Sequence, residues 1–173
     1  MDRTILAREI YRVSIIKGNF TLRSGIQTLE YFDKYLFEAR PDLLLEIANH
    51  LAPSIPENID ALAGLEMGGI AIATALSLQT GVALVFVRKE AKAYGTCKLA
   101  EGETVAGKKL LIIEDVVTSG GAVVKAVNQL RNLGAEIDRA LCVIDRESTG
   151  RKNLRNIGIE LNPLFTKSYL EST

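Results

Sequence analysis

Apolar positions along the chain change their spacing several times, and each change marks an element. Between residues 4 and 13, Ile5, Leu6, Ile10 and Val13 share one helical face. Lys17-Gly18-Asn19 predicts a turn, after which Phe20-Thr21-Leu22-Arg23 alternates like a strand. Ser24-Gly25 turns again and Leu29-Glu30-Tyr31-Phe32-Asp33 resumes extended, which predicts a β-hairpin outside the main sheet. Pro41 suits the first turn of a helix running to about Leu51, where Ala52-Pro53 ends it. Beyond this point, short uninterrupted apolar runs alternate with helical patterns. Ala61-Leu62-Ala63 precedes a helix over residues 70–79, and Ala83-Leu84-Val85-Phe86-Val87 precedes a long excursion to Gly107. Leu110-Leu111-Ile112-Ile113 precedes a helix carrying Val123, Val124, Val127, Leu130 and Leu133, stopped by Gly134. Ala140-Leu141-Cys142-Val143-Ile144 is followed by a short helix and a terminal strand through Leu164 and Phe165. Continuous apolar strands are covered on both faces. The pattern therefore predicts an α/β fold, a doubly wound and mostly parallel sheet whose ligands sit at the strand C-terminal ends.

Four candidate features fall at those ends. Glu114 and Asp115 follow Ile113, and after Val116 and Val117 come Thr118, Ser119, Gly120, Gly121 and Ala122, leading into a helix. Small residues at a helix N-terminus present free N–H groups and the positive end of the helix dipole, which suits a phosphate. Carboxylates would repel that phosphate on contact. They can instead accept hydrogen bonds from hydroxyls of the same ligand, or hold its metal ion, which implies a phosphorylated sugar. Neither common nucleotide loop, G-x-x-x-x-G-K-[ST] or G-x-G-x-x-G, is present here. A buried strand and capped helix of an unrelated α/β domain is the plain alternative. After Ala63, Gly64-Leu65-Glu66-Met67-Gly68-Gly69 forms a glycine-rich strand-to-helix turn, weak evidence by itself. After Val87, Arg88, Lys89 and Lys92 place three cations within five residues, a solvated loop unless an anion binds there. After Ile144, Arg146 stands between Asp145 and Glu147, either in a surface ion pair or free to grip a carboxylate with two hydrogen bonds.

Composition narrows the function further. A chain of 173 residues with 47% hydrophobic content predicts one globular domain, 1–173. Its 21 basic and 21 acidic residues create no global field for nucleic acid or an acidic membrane, so an anionic ligand must be handled locally. A charged N-terminus and the lack of a membrane-spanning apolar run predict a cytoplasmic protein. Cys97 and Cys142 have no pairing or metal spacing, and Cys142 reads as a buried thiol in a strand. His50, the single histidine, reads as a surface or helix-end residue, leaving no histidine metal cluster.

The acidic pair, two aliphatics and Thr-Ser-Gly-Gly after an aliphatic strand resemble the phosphoribosyl pyrophosphate (PRPP) signature of the type I phosphoribosyltransferases. Phe20-Thr21-Leu22-Arg23-Ser24-Gly25, Tyr31-Phe32-Asp33, the run from Phe86 through Lys92 to Gly95, and Asp145-Arg146-Glu147 resemble the orotate branch of that family. The resemblance spans residues 18–150. It implies the type I fold with a small N-terminal hood over about residues 1–40, and transfer of a 5-phosphoribosyl group from PRPP to orotate in pyrimidine biosynthesis. It assigns Lys92, Asp115 and Glu114 to catalysis. PRPP falls to Arg88, Lys89, Lys92, Tyr94 and the stretch Glu114, Asp115, Val116, Val117, Thr118, Ser119, Gly120, Gly121 and Ala122. Orotate falls to Arg23, Tyr31, Phe32, Thr118 and Arg146, and the pyrophosphate loop to Glu66, Met67, Gly68 and Gly69. Magnesium is implied as a cofactor carried by pyrophosphate, without a direct protein ligand. A homodimer is implied, with the 88–107 loop reaching the neighbouring site. The family usually has His at Tyr94, Lys at Arg23, and more glycines where Ser148-Thr149-Gly150 stands here. Those departures leave two alternatives, a phosphoribosyltransferase for another base and a catalytically weak PRPP-binding regulator.

Overall fold

The computed structural model describes residues 1–21, 25–91 and 98–173. Helix α1 (Arg3–Ser14) is capped by the Asp2 carboxylate, which accepts from Thr4 N at 2.8 Å and Ile5 N at 3.4 Å, and it buries Leu6, Ala7 and Ile10. Strands β1 (Ile15–Thr21) and β2 (Gln27–Phe32) pair antiparallel in a sheet of their own, the predicted hairpin. The turn expected at Lys17-Gly18-Asn19 is instead a bulge within β1, where the register shifts between Lys17 and Phe20. Turn-forming residues are equally suited to the extra residue of a bulge, which explains the misreading. A one-turn helix α2 (Tyr35–Glu38) and then α3 (Pro41–Leu51), with Pro41 in its first turn, complete the N-terminal part.

The main sheet has the order β5-β4-β3-β6-β7-β8, from β3 (Ala61–Leu65), β4 (Ala83–Val87), β5 (Ala100–Gly102), β6 (Leu110–Val117), β7 (Arg139–Asp145) and β8 (Glu160–Thr166). All neighbouring pairs are parallel except β4 with β5. Between the strands run α4 (Gly68–Thr80), α5 (Gly121–Asn132) and α6 (Gly150–Arg155). Alternate residues of the apolar strands enter two cores. Leu62, Leu111, Ile113 and Leu141 pack with α1, α3 and α4, whereas Ala61, Leu110, Ile112 and Cys142 pack with α5 and α6. Each fully buried Leu or Ile contributes roughly 1.5–3 kcal/mol, so the sheet is held from both faces.

Three departures from the predicted pattern matter for the site. Strand β6 runs four residues past Ile113, so Glu114 and Asp115 lie inside a strand. The excursion over 88–107 returns to the sheet through β5, which the short Ala100-Glu101-Gly102 segment did not reveal, and Arg88 N bonds Leu99 O at 2.9 Å. A further helix, α7 (Lys167–Ser172), follows β8, capped by the Thr166 hydroxyl accepting from Tyr169 N. Among the described residues no helix is long and apolar enough to cross a membrane. Strand order reverses between β3 and β6, and the crevice at such a switch point is where doubly wound sheets bind ligands.

Candidate active site

The switch-point crevice is flanked by the loops leaving β3 and β6. On the β6 side, Asp115 is wholly buried and Glu114 nearly so. Asp115 Oδ2 accepts from Lys34 Nζ at 2.5 Å, Oδ1 accepts from Val116 N, and Asp115 N donates to Glu114 Oε1 at 3.0 Å. Gly68 of the β3 side stands against the same carboxylate. A Cβ there would lie 1.7 Å from Asp115 Oδ2 and 2.6 Å from Glu38 Oε1, so only glycine fits. Glu38 Oε1 itself is buried without a hydrogen-bond partner.

Three carboxyls and one ammonium thus share a confined space, and their charges separate. Burial, reinforced by the charge of Asp115, pushes Glu114 well above the usual carboxyl range. The same two causes push Glu38 up to about 8. Burial opposes the charge on Asp115 too, but hydrogen bonding from Glu114 and Lys34 and the ammonium's charge outweigh it and hold Asp115 low. Lys34 responds in kind: burial would lower it, and Asp115 raises it. The shifts therefore favour the charge on Asp115, paired with Lys34, over charges on Glu38 and Glu114.

Thr118, Ser119 and Gly120 connect β6 to α5, and Gly120 adopts a positive φ of 73° that a side chain would strain. The loop is braced from α6: Gly150 N donates to Thr118 O at 3.0 Å and Asn153 Nδ2 to Ser119 O at 3.0 Å. Thr118, Ser119, Gly121 and Ala122 remain exposed, at the start of a twelve-residue helix whose first N–H groups have no intrahelical acceptor. The arrangement can receive a phosphate.

Beside it lies a cavity of about 290 Å³ beneath the hairpin, lined by Tyr31, Phe32, Val116, Ile144 and Arg146 among others. Tyr31 packs on Phe20 with ring centroids 5.5 Å apart. Asp145, which could have neutralised Arg146, is held by Arg151 Nε at 2.5 Å and by Glu147 N at 2.9 Å. Glu147 accepts from Ser168 N at 2.7 Å, and Arg146 has no ion pair among the described residues. The structure therefore unites Tyr31, Phe32 and Arg146 from distant parts of the chain. Larger, at 590 Å³, is a groove near the strand β8 edge, lined by Asp138, Arg151, Arg155 and Glu160, but it holds none of the residues singled out by sequence.

Glu66 and Met67 form the turn after β3, with Glu66 N bonded to Val87 O at 2.9 Å and Met67 exposed. Arg88 follows β4, its Nε 3.9 Å from Glu101 Oε1, and Lys89 is exposed. Arg23, Lys92 and Tyr94 lie outside the described residues. Among the described residues, no group of three or more His, Cys, Asp or Glu side chains is arranged to hold a metal. Sequence reasoning missed Lys34 and Glu38. Their i, i+4 spacing in a short segment was visible, but its meaning depends on Asp115, 81 residues further on.

A family model described as phosphoribosyl transferase domain matches residues 37–160. Orotate phosphoribosyltransferase of Nocardioides sp. is 52% identical over 172 residues, covering 99% of this chain and 96% of that protein. The chain belongs to the orotate phosphoribosyltransferases. A member from Methanocella arvoryzae is 41% identical over 153 residues, covering 88% of this chain and 87% of that one. The crystal structure of the Mycobacterium tuberculosis orotate phosphoribosyltransferase in complex with Fe(III) dicitrate matches with a TM-score of 0.89 and 27% identity, covering 98% of this chain and 99% of that one. The type I phosphoribosyltransferase fold expected from the sequence is thus the fold of this family.

Proposed function

We propose that the chain transfers the 5-phosphoribosyl group from PRPP to orotate, giving orotidine 5′-monophosphate and pyrophosphate on the route to UMP. The observation that carries this reading is the cavity joining Tyr31, Phe32 and Arg146 beside the acidic strand and the Thr118 loop. Aromatic faces suit a flat base, and a guanidinium without an ion pair among the described residues suits the carboxylate that distinguishes orotate from uracil.

In this reading the 5-phosphate lies on Thr118, Ser119, Gly120, Gly121 and Ala122, the ribose hydroxyls face Glu114 and Asp115, and pyrophosphate lies between residues 66–69 and the basic segment Arg88, Lys89 and Lys92. A ring nitrogen of orotate forms its bond to the anomeric carbon as the carbon–oxygen bond to pyrophosphate breaks; the nitrogen gives up its proton, and pyrophosphate leaves with the electron pair. Positive charge gathers on the sugar and negative charge on the leaving group. Ionised Asp115 opposes the first, and the cations of the basic segment oppose the second, so preorganised electrostatics carries the rate. Magnesium fits a site of phosphate oxygens and water without a protein cage; bound to pyrophosphate, it neutralises the leaving group. The 88–107 segment acts across a homodimer, and the protein works in the cytoplasm.

Incubation with orotate, PRPP and magnesium should release orotidine monophosphate and pyrophosphate in equal amounts, with chelation of the metal stopping both. A chain that binds PRPP yet forms no nucleotide would be a regulator instead.

A further inference from the structure

Lys34 enters the site from outside every motif that marks it. It stands between the hairpin and α2, yet its Nζ reaches Asp115 Oδ2 at 2.5 Å. Asp115 is wholly buried, whereas a third of the Lys34 side chain is exposed, so the ammonium separates the carboxylate from the open crevice. The Tyr35 ring flanks it, its centroid 5.2 Å from Nζ. A side chain on Gly68 would strike the same oxygen, so Lys34 and the loop over residues 66–69 approach each other there. That loop, Glu66-Met67-Gly68-Gly69, brings no cation of its own and one acid. A leaving pyrophosphate held at its backbone would need positive charge from another element.

We propose that Lys34 is a positioning residue for PRPP: the ribose hydroxyls displace its ammonium from Asp115, and the ammonium turns to the pyrophosphate. This inference rests on the transfer reaction proposed above. The exchange is chemically even. Hydroxyls donate the hydrogen bonds that Asp115 loses, and a phosphate oxygen replaces the carboxylate as the ammonium's partner. A four-carbon stem and three rotatable donors allow lysine to change partners, and because each partner is replaced in the exchange, neither charge is left buried and unpaired. Burial and the charge of Asp115 push Glu38 and Glu114 upward, so neither readily adds its own negative charge where the ammonium leaves.

The test is steady-state kinetics of Lys34→Gln and Lys34→Arg beside the unaltered protein, with thermal melting of each. Gln removes the charge and keeps a polar amide donor, one bond short of the ammonium's position, whereas Arg keeps the charge. Lys34→Gln should raise KM for PRPP roughly 10-fold or more, the effect of losing one charged hydrogen bond, with KM for orotate nearly unchanged. Lys34→Arg should recover most of the loss. An unchanged KM for PRPP would overturn the proposal, and a fall would show instead that Lys34 only obstructs the site. If Lys34→Gln does not fold, acetylation of Lys34 in the unaltered protein, followed by mass spectrometry, decides: PRPP with magnesium and no base should protect the amine, and undiminished labelling would overturn the exchange. Absence of transfer by the unaltered protein would refute the proposed reaction, whereas the labelling result would still judge Lys34.

Discussion

Replacing Gly68 with alanine puts the packing of the acidic cluster to a direct test. The new Cβ would lie 1.7 Å from Asp115 Oδ2 and 2.6 Å from Glu38 Oε1. Neither oxygen ends a flexible surface chain. Asp115 is fixed by Lys34, by Val116 N and by the strand itself, so it must retreat by well over an ångström and loosen the 2.5 Å ion pair. Overpacking of this kind costs roughly 1–3 kcal/mol. Breaking a buried pair costs up to about 3–5 kcal/mol, and less here because a third of the Lys34 side chain is exposed. We therefore expect Gly68→Ala to lose about 3–5 kcal/mol, a large part of the 5–15 kcal/mol typical of a domain. Equilibrium unfolding in guanidinium chloride reads this as a lower midpoint at an unchanged slope. Transfer activity should fall with it, because Asp115 leaves its position. A loss under about 1 kcal/mol, with normal activity, would refute the close packing of Gly68 on Asp115.

Other consequences are equally specific. Arg146→Ala should raise KM for orotate roughly 10-fold or more while leaving that for PRPP nearly unchanged, as initial rates with each substrate varied would show. Lys92→Ala should depress turnover far more than PRPP binding, measured by comparing kcat with calorimetric affinity. Glu38 is raised in the folded protein, from an ordinary 4.5 to about 8, so the folded state holds more protons than the unfolded across that range and stability falls as pH rises through it. Glu38→Gln should remove that contribution. Its stability advantage over the unaltered protein should grow from about pH 4.5 to pH 8 and then level off, and denaturant midpoints against pH will show whether it does.

Much of the scaffold was legible because burial on two faces leaves a plain mark. The apolar runs at Ala83 and Ala140 lie in strands β4 and β7, and helix α5 follows from apolar spacing and the stop at Gly134. What escaped the sequence has identifiable causes. Glu114 and Asp115 looked like a strand end because acids seldom continue a buried strand, yet here the site absorbs them and β6 runs on to Val117. β5 and α2 have three and four residues, too few to display a period. The grouping of Tyr31, Phe32 and Arg146 could be expected only from family resemblance, since 114 residues separate the last two. Lys34 and Glu38 gave no signal of their own because a lone lysine and glutamate in a polar segment ordinarily face water. Their place in the site exists only where α2, α4 and β6 converge.

In the proposed reaction this pocket selects a base by its carboxylate. Its most direct test is the rate of pyrophosphate release from PRPP and magnesium with orotate, uracil, adenine or hypoxanthine offered separately, products being separated by chromatography. Turnover is expected with orotate and none with uracil, which lacks the group that Arg146 would hold. Equal turnover with uracil, or turnover with a purine alone, would contradict it and leave Arg146 without its role.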